Sequence, residues 1–360
     1  MKTLITAKDM QALLASKGPS GVPADALLTP QARDLLNDAK RAGSRKPKAA
    51  KAVYAEPVVP DYEYTWEPGS DPKTPEALLA FYDSAPIREL RERMADIGKR
   101  IWAKDYVDGN GGNLTIRVGD NLVLCTPTLI SKGFMTAEDM CLIDFSGKQY
   151  AGKRKRTSEA MTHMAIMQRQ PKAKACCHAH PPHATAYAVA GVVPPTCMIP
   201  EAEVFLGQIG YAPYRTPGSP ENAQVVGEVG VDHQSILMEN HGVITWGKDI
   251  EDAYWKMENT DAYCKTVWMA SQLGKPLKTI TGSQAKELIG LRKSLGMDDY
   301  REDWKECELC DNSDFRPGVM CAVPPHDAPA STGGQEYDDQ AELLVQQITN
   351  QIMESLKSRG

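Results

Sequence analysis

The stretch AKACCHAHPPHATAYAVAG, residues 173–191, carries the pattern that organises the rest of the chain. Ala173–His180 is mostly small and apolar, which predicts a buried strand, and His183–Ala190 predicts a helix after the two prolines. Side chains alternate along a strand, so His178 and His180, at i and i+2, face the same way and can reach one metal ion. The prolines end the strand directly after the pair, where a cleft can lie. The chain has only seven histidines in 360 residues, so two on one strand face form a signal that either alone would not give. Taken singly, each would read as a histidine satisfied by ordinary hydrogen bonds.

Working outward, Leu114–Val118, Leu122–Thr126 and Met140–Asp144 are short β-rich runs separated by Gly, Asn and Asp. Ser235–Glu239 and Gly242–Thr245 are strand-like, with a third histidine, His241, between them. Helical patterns cover Ala77–Lys104, Ser158–Gln168, Glu203–Ile209 and Ile250–Leu273. Mixed strands and helices across residues 76–300 predict one α/β domain. Around the histidines stand three further features. Glu159 follows Thr157 and Ser158 at a helix start, where free N–H groups favour an anion; a capping residue is its bland reading. GNGGNLTIR (109–117) offers Gly112 and Asn113 at a strand start, or simply a tight turn. TPTLISKGFM (126–135) offers the hydroxyls of Thr126 and Thr128.

GN-L-T, TPT, TSE, HAHPPHATAYAVAG, PEAE…LG and ENHGV occur in an order that resembles the class II aldolase/adducin family over residues 85–270. Within that family the resemblance is to the L-fuculose-phosphate aldolase branch. It implies a single domain with a central mixed, largely antiparallel β-sheet flanked by helices, one zinc ion per subunit and a homotetramer. By the same resemblance His178, His180 and His241 ligate the metal, and Glu159 both ligates it in the empty site and serves as the catalytic base. Gly112, Asn113, Thr128, Thr157 and Ser158 would hold the substrate phosphate. The implied reaction cleaves a 6-deoxyketohexose 1-phosphate, L-fuculose or L-rhamnulose 1-phosphate, to dihydroxyacetone phosphate and lactaldehyde. The epimerase relatives carry Asp where this chain has Glu159, and scaffolding members lack the histidines, so both of those readings come second. An epimerase or dehydratase using the same metal site remains the alternative enzyme, and an adducin-like scaffold the alternative of another class. Two departures stand out. Leu129 occupies the position where the family has glycine, and Met198-Ile199-Pro200-Glu201 stands where the fuculose aldolases place a tyrosine proton donor.

The ends of the chain read differently. Residues 1–52 carry ten Lys/Arg against four Asp/Glu and hold two short helices, one opened by Thr6 with Asp9 and one by Thr29-Pro30. Residues 53–75 form a Pro-rich linker, 301–325 a Cys-containing segment and 326–335 a second linker. Residues 336–360 form an amphipathic helix, with Leu344, Ile348, Ile352 and Leu356 on one stripe. Terminal helices after linkers resemble encapsulation peptides, which implies loading by shell proteins into a bacterial microcompartment; the bland alternative is extra helices docked on the enzyme's own assembly. The run Lys153-Arg154-Lys155-Arg156 is read as a solvated loop or as a guide for a phosphorylated substrate.

Lys plus Arg number 41 and Asp plus Glu 47, a net charge of −6 that gives no electrostatic case for nucleic acid. Hydrophobic residues at 42% suffice for a sizeable core. No apolar run approaches the roughly 18 residues needed to cross a bilayer, and the N-terminus lacks the pattern of a secretory signal. The expectation is a soluble, cytoplasmic protein whose nine cysteines are reduced. Cys307, Cys310 and Cys321 are candidate ligands for a second metal, short of the four that structural zinc takes.

Overall fold

In the computed structural model, residues 3–23, 26–44, 60 and 64–312 are described. The N-terminal part begins with β1 (Leu4–Ile5) and α1 (Ala7–Lys17), followed by β2 (Leu27–Leu28) and α2 (Pro30–Ser44). Thr6 and Asp9 form the expected reciprocal capping box at the start of α1. Ile5, Met10, Ala32 and Leu36 close a small core between the two helices.

Residues expected as linker dock onto the main unit before its first helix. The Tyr64 hydroxyl donates to the carbonyl of Val118, the Trp66 indole to Asp120, and Asp71 accepts from the backbone N–H groups of Asp120 and Asn121. The long helical pattern then divides into α3 (Pro75–Tyr82) and α4 (Ala85–Ala103). Pro86 lacks the N–H that would continue one helix through this point, and is accommodated in the first turn of the second.

Next come β3 (Asn113–Arg117), β4 (Leu122–Cys125), β5 (Cys141–Asp144) and β6 (Gln149–Ala151), joined in an antiparallel meander. After α5 (Ala160–Arg169) comes β7 (Ala175–Ala179), the strand of the paired histidines, and then α6 (Pro182–Ala190). The chain continues through α7 (Pro200–Phe205), β8 (Gly210–Ala212), α8 (Pro220–Val229), β9 (Ser235–Met238), β10 (Gly242–Gly247) and α9 (Ile250–Ser271). The sheet runs β6-β5-β4-β3-β7-β10-β9-β8, antiparallel throughout except for the β8–β9 pair. It is therefore mixed and largely antiparallel, with β7 near its middle.

Alternation along the strands separates two packed faces. Cys176, Val123, Ile143, Ile244 and Trp246 join Ala160, Met164 and Ile166 of α5 and Val226 of α8 in one core. On the other face α9 packs against β7 and β10. There the hydroxyl of Thr245 donates to the carbonyl of Ala253, and Ser235 and Thr260 share a hydrogen bond. His178 shares the parity of Cys176, so its imidazole lies on the α5 side.

Helices α10 (Gly282–Ser294) and α11 (Glu306–Leu309) cap the loop that precedes α7. The guanidinium of Arg301, 1% exposed, bridges Glu203 at 2.9 Å and Asp299 at 2.8 Å, while Arg292 donates to the carbonyl of Val204. Packing thus continues past residue 300, to Asp311.

The cysteines of this cap correct two expectations. Cys197 and Cys310 are joined in a disulfide spanning 113 residues, so not every thiol is reduced. With its sulfur spent on Cys197, Cys310 has no thiolate left for a metal, and the expected Cys307, Cys310 and Cys321 set does not form. Cys307 is exposed on α11, and Cys321 lies outside the described residues, as do the linker 326–335 and the expected helix 336–360. Cys125, Cys141, Cys176, Cys177 and Cys264 are free and buried. No helix of the described residues is long and apolar enough to cross a membrane.

Candidate metal centre

Strand β7 delivers His178 at its end and His180 just beyond it, and the turn between β9 and β10 delivers His241. The neighbouring ring centroids are 4.7 Å apart for His178–His241, 5.0 Å for His178–His180 and 5.3 Å for His180–His241. One ring nitrogen from each lies within 4.8 Å of the other two, a spacing that suits three ligands on one ion. Gly242 makes this approach possible, because a Cβ there would fall 2.6 Å from the His180 ring and 2.7 Å from the carbonyl of Ala179.

The rings are oriented from behind. His178 Nδ1 lies 2.8 Å from the carbonyl oxygen of Val243, and His180 Nδ1 lies 3.0 Å from Asp108 Oδ1. Both partners accept, so each histidine carries its proton on Nδ1 and turns a bare Nε2 inward. Those two Nε2 atoms are buried and have no hydrogen-bond partner. Burial and the neighbouring imidazoles push the pKa of His178 well below its ordinary value, and burial lowers that of His241. Neutral imidazoles are the form that binds a metal. The orphaned nitrogens and the donor set fit a zinc ion.

Glu159 stands at the start of α5, facing the triad. Its carboxylate oxygens are 3.6 Å from His178 Nε2 and 3.6 Å from His241 Nε2, and it accepts a 2.7 Å hydrogen bond from Asn113 Nδ2. Its side chain does not cap the helix. Asn113 opens β3 opposite His178 in the register, which brings the Gly-rich loop to the histidines. Gly112 is required there. Its φ of +72° is left-handed, and a Cβ would fall 2.7 Å from Val107 Cγ1 and 2.9 Å from the carbonyl of His178.

These residues surround a cavity of about 190 Å³ lined by Gly112, Asn113, Thr128, Thr157, Ser158, Glu159, His180 and His241, among others. Every residue expected to hold phosphate therefore reaches the same cavity. Leu129, in the position where the family has glycine, takes a φ of +57° with its side chain 80% exposed, so the loop keeps a glycine-like backbone despite the substitution. None of Met198, Ile199, Pro200 and Glu201 lines the cavity. The two arginines of the basic run are committed elsewhere, Arg154 pairing with Asp139 and Arg156 donating to the carbonyls of Gly147 and Thr157, and Lys153 and Lys155 are exposed.

Two contributors escaped the sequence reading. Asp108 carries no motif, and its role appears only when the chain folds His180 onto it; that hydrogen bond holds its carboxyl below the usual range. Lys132 lines the cavity from beneath the TPT loop and is 1% exposed. Its position in SKGF between a loop and a short turn gave no sign of burial.

Comparison with known proteins agrees with this geometry. Residues 92–268 match the family described as Class II Aldolase and Adducin N-terminal domain. The chain is 40% identical over 162 residues to an L-fuculose phosphate aldolase of Methanococcus maripaludis, an alignment covering 45% of this chain and 87% of the relative. It is 30% identical over 203 residues to a 3-oxo-tetronate 4-phosphate decarboxylase of Haemophilus influenzae, covering 55% of this chain and 95% of the relative. Among solved structures, YgbL of Escherichia coli, a candidate aldolase, epimerase or decarboxylase, superposes with a TM-score of 0.52 at 26% identity, covering 56% of this chain and 98% of that one.

Proposed function

The chain belongs to the class II aldolase and adducin family, and from that premise we propose that it is a zinc-dependent lyase cleaving L-fuculose or L-rhamnulose 1-phosphate to dihydroxyacetone phosphate and lactaldehyde. The observation that carries this reading is the convergence of three imidazoles, two of them 3.6 Å from Glu159, beside one cavity shared with the Gly112 and Thr128 loops. A zinc ion held by His178, His180 and His241 would supply a Lewis acid that polarises the substrate carbonyl.

The protein's own groups do the rest. Breaking a carbon–carbon bond next to a carbonyl leaves an electron pair on carbon, and a proton must be delivered there. Glu159 is the acid–base group in place for it, fixed by Asn113 and pressed against the histidines. In the condensation direction the same carboxylate removes that proton. Thr128, Thr157 and Ser158 line the same cavity and offer hydroxyls to it, and the Gly112 loop brings backbone close to it. Holding the phosphate there anchors the substrate away from the reacting bond.

A second reading is favoured by one particular feature. Retro-aldol cleavage must also remove a proton from the hydroxyl that becomes the aldehyde, and residues 198–201 supply no tyrosine for that task. Loss of carbon dioxide from a 3-oxo acid has no such hydroxyl to deprotonate, while still requiring the carbon protonation assigned to Glu159. The relation to the Haemophilus influenzae decarboxylase supports this alternative, with a phosphorylated 3-oxo acid as substrate.

Product analysis on the zinc-loaded protein, with His180→Ala and Glu159→Gln beside the wild type, separates the readings. Dihydroxyacetone phosphate released from a deoxyketohexose phosphate, and lost in both variants, is the expected result. Carbon dioxide from a 3-oxo acid phosphate would favour the second reading. Bound metal without either product would return the case to an epimerase or dehydratase, and no bound metal to a scaffold.

The same reading includes a homotetramer and loading into a bacterial microcompartment through the terminal helices. Exposed Leu129, Phe134 and Trp102 near the TPT loop support self-association. Sedimentation velocity tests the tetramer. Co-purification of shell proteins with the full chain, compared with a chain ending at residue 335, tests the tag.

A further inference from the structure

Lys132 is a long cationic side chain at 1% exposure, an arrangement that costs free energy unless something repays it. Its Nζ donates to the carbonyl of Asn110 at 2.8 Å and to the carbonyl of Ile130 at 2.8 Å. Those carbonyls belong to the Gly-rich loop and to the TPT loop, so one ammonium joins the two segments that border the cavity. An ammonium has three N–H groups. Two end on backbone, and the third is left for the cavity that Lys132 lines.

Charge balance gives this placement a purpose. Among the described residues that line the cavity, Lys132 is the sole Lys or Arg. The basic run before Thr157 is not part of the lining, and Glu159 adds a negative charge to it. A phosphate monoester carries about −1.5 to −2 at neutral pH. Hydroxyls and backbone N–H groups can hydrogen-bond such a group but cannot neutralise it. We propose that Lys132 is the specificity-determining cation that pairs with the substrate phosphate, locking the Asn110 and Ile130 loops around it. This rests on the phosphorylated-substrate reading above. Burial lowers the pKa of Lys132 to about 8 although the charge of Glu159 opposes that shift, so it remains a cation at neutral pH. In a desolvated pocket the attraction for an anion is larger than at a surface.

The test compares binding of dihydroxyacetone phosphate and of unphosphorylated dihydroxyacetone to the zinc-loaded, full-length protein by calorimetry. The variants are Lys132→Met and Lys132→Gln; the second can still donate two hydrogen bonds to the loop carbonyls without the charge. The expected result is a loss of about 10- to 100-fold in affinity for the phosphate in both variants, the scale of one charge-assisted hydrogen bond. Affinity for dihydroxyacetone should change far less. A parallel loss for both ligands would reduce Lys132 to a buttress and overturn the assignment, as would an unchanged preference for the phosphate. A wild type with no preference at all would instead overturn the phosphorylated-substrate reading and remove the premise. If neither variant folds, a crystal structure of the wild type with dihydroxyacetone phosphate decides. Nζ within about 3.2 Å of a phosphate oxygen is expected, and a phosphate seated away from Lys132 would refute the proposal.

Discussion

His180 and Asp108 form a 3.0 Å hydrogen bond between ring Nδ1 and a carboxylate oxygen, and that bond decides which nitrogen of His180 is free. The carboxylate lies behind the imidazole, away from the other two rings, and turns Nε2 toward them. Replacing Asp108 with Ala should lower zinc affinity by about 10- to 100-fold, the usual effect of removing such a partner. Competition against a chelating dye measures it, and an unchanged affinity would mean that packing alone orients the ring.

Two glycines of one loop should respond differently to alanine. Gly109 has a φ of +51° and open space where a Cβ would go, so Gly109→Ala should cost about 1 kcal/mol from the left-handed backbone alone and leave zinc binding intact. Gly112→Ala adds collisions with Val107 and with the His178 carbonyl, which force β7 or the loop to move. It should cost clearly more and lower zinc occupancy as well. Urea denaturation together with metal analysis on both variants checks the contrast.

His163, one turn into α5, predicts an acid-side loss of stability. Burial lowers its pKa to about 3 in the folded protein, against an ordinary value of 6.5. Between those values the unfolded chain binds more protons. Stability should therefore fall as pH drops below about 6.5, by up to roughly 1.4 kcal/mol per pH unit from this group, and it should not depend on His163 at higher pH. Its Nδ1 shares a 3.0 Å hydrogen bond with the Thr115 hydroxyl, which His163→Gln can retain. Denaturation midpoints of wild type and His163→Gln at pH 5 and pH 8 test this; an equal acid loss in both would assign the effect to other groups.

The Cys197–Cys310 disulfide predicts sensitivity to reductant. Reduction, or Cys197→Ser, should lower stability by about 2–4 kcal/mol, the typical contribution of a bridge that closes a long loop. Alkylation under denaturing conditions should label two more cysteines after reduction than before. The same count in both states would contradict the bridge.

What could be read in advance was what local order encodes. His178 and His180 were legible because strand parity needs only two positions, whereas Glu159, Gly112, Asn113, Thr128, Thr157 and Ser158 were assigned their roles only through the resemblance of the motif order to the class II aldolase family. Helix α8 was overlooked although Ser219-Pro220 is a good start signal, with Ser219 capping Asn222. Strand β8 is three residues long and draws its pairing from β9, so its own sequence says little. The partner of Cys310 lies 113 residues away, a distance across which spacing carries no information. Lys132 and Asp108 have the same difficulty in another form: their roles depend on which backbone the completed fold brings against them.

The metal-ligand pair on β7 is specified by parity in a strand hydrogen-bonded on both sides, to β3 and to β10. An insertion or deletion of one residue inside that strand would therefore exchange the imidazoles for Cys177 and Ala179 on the α5 face, leaving composition and hydrophobicity almost unaltered. Along Ala175–Ala179 the frame of the strand matters as much as the identity of His178 itself.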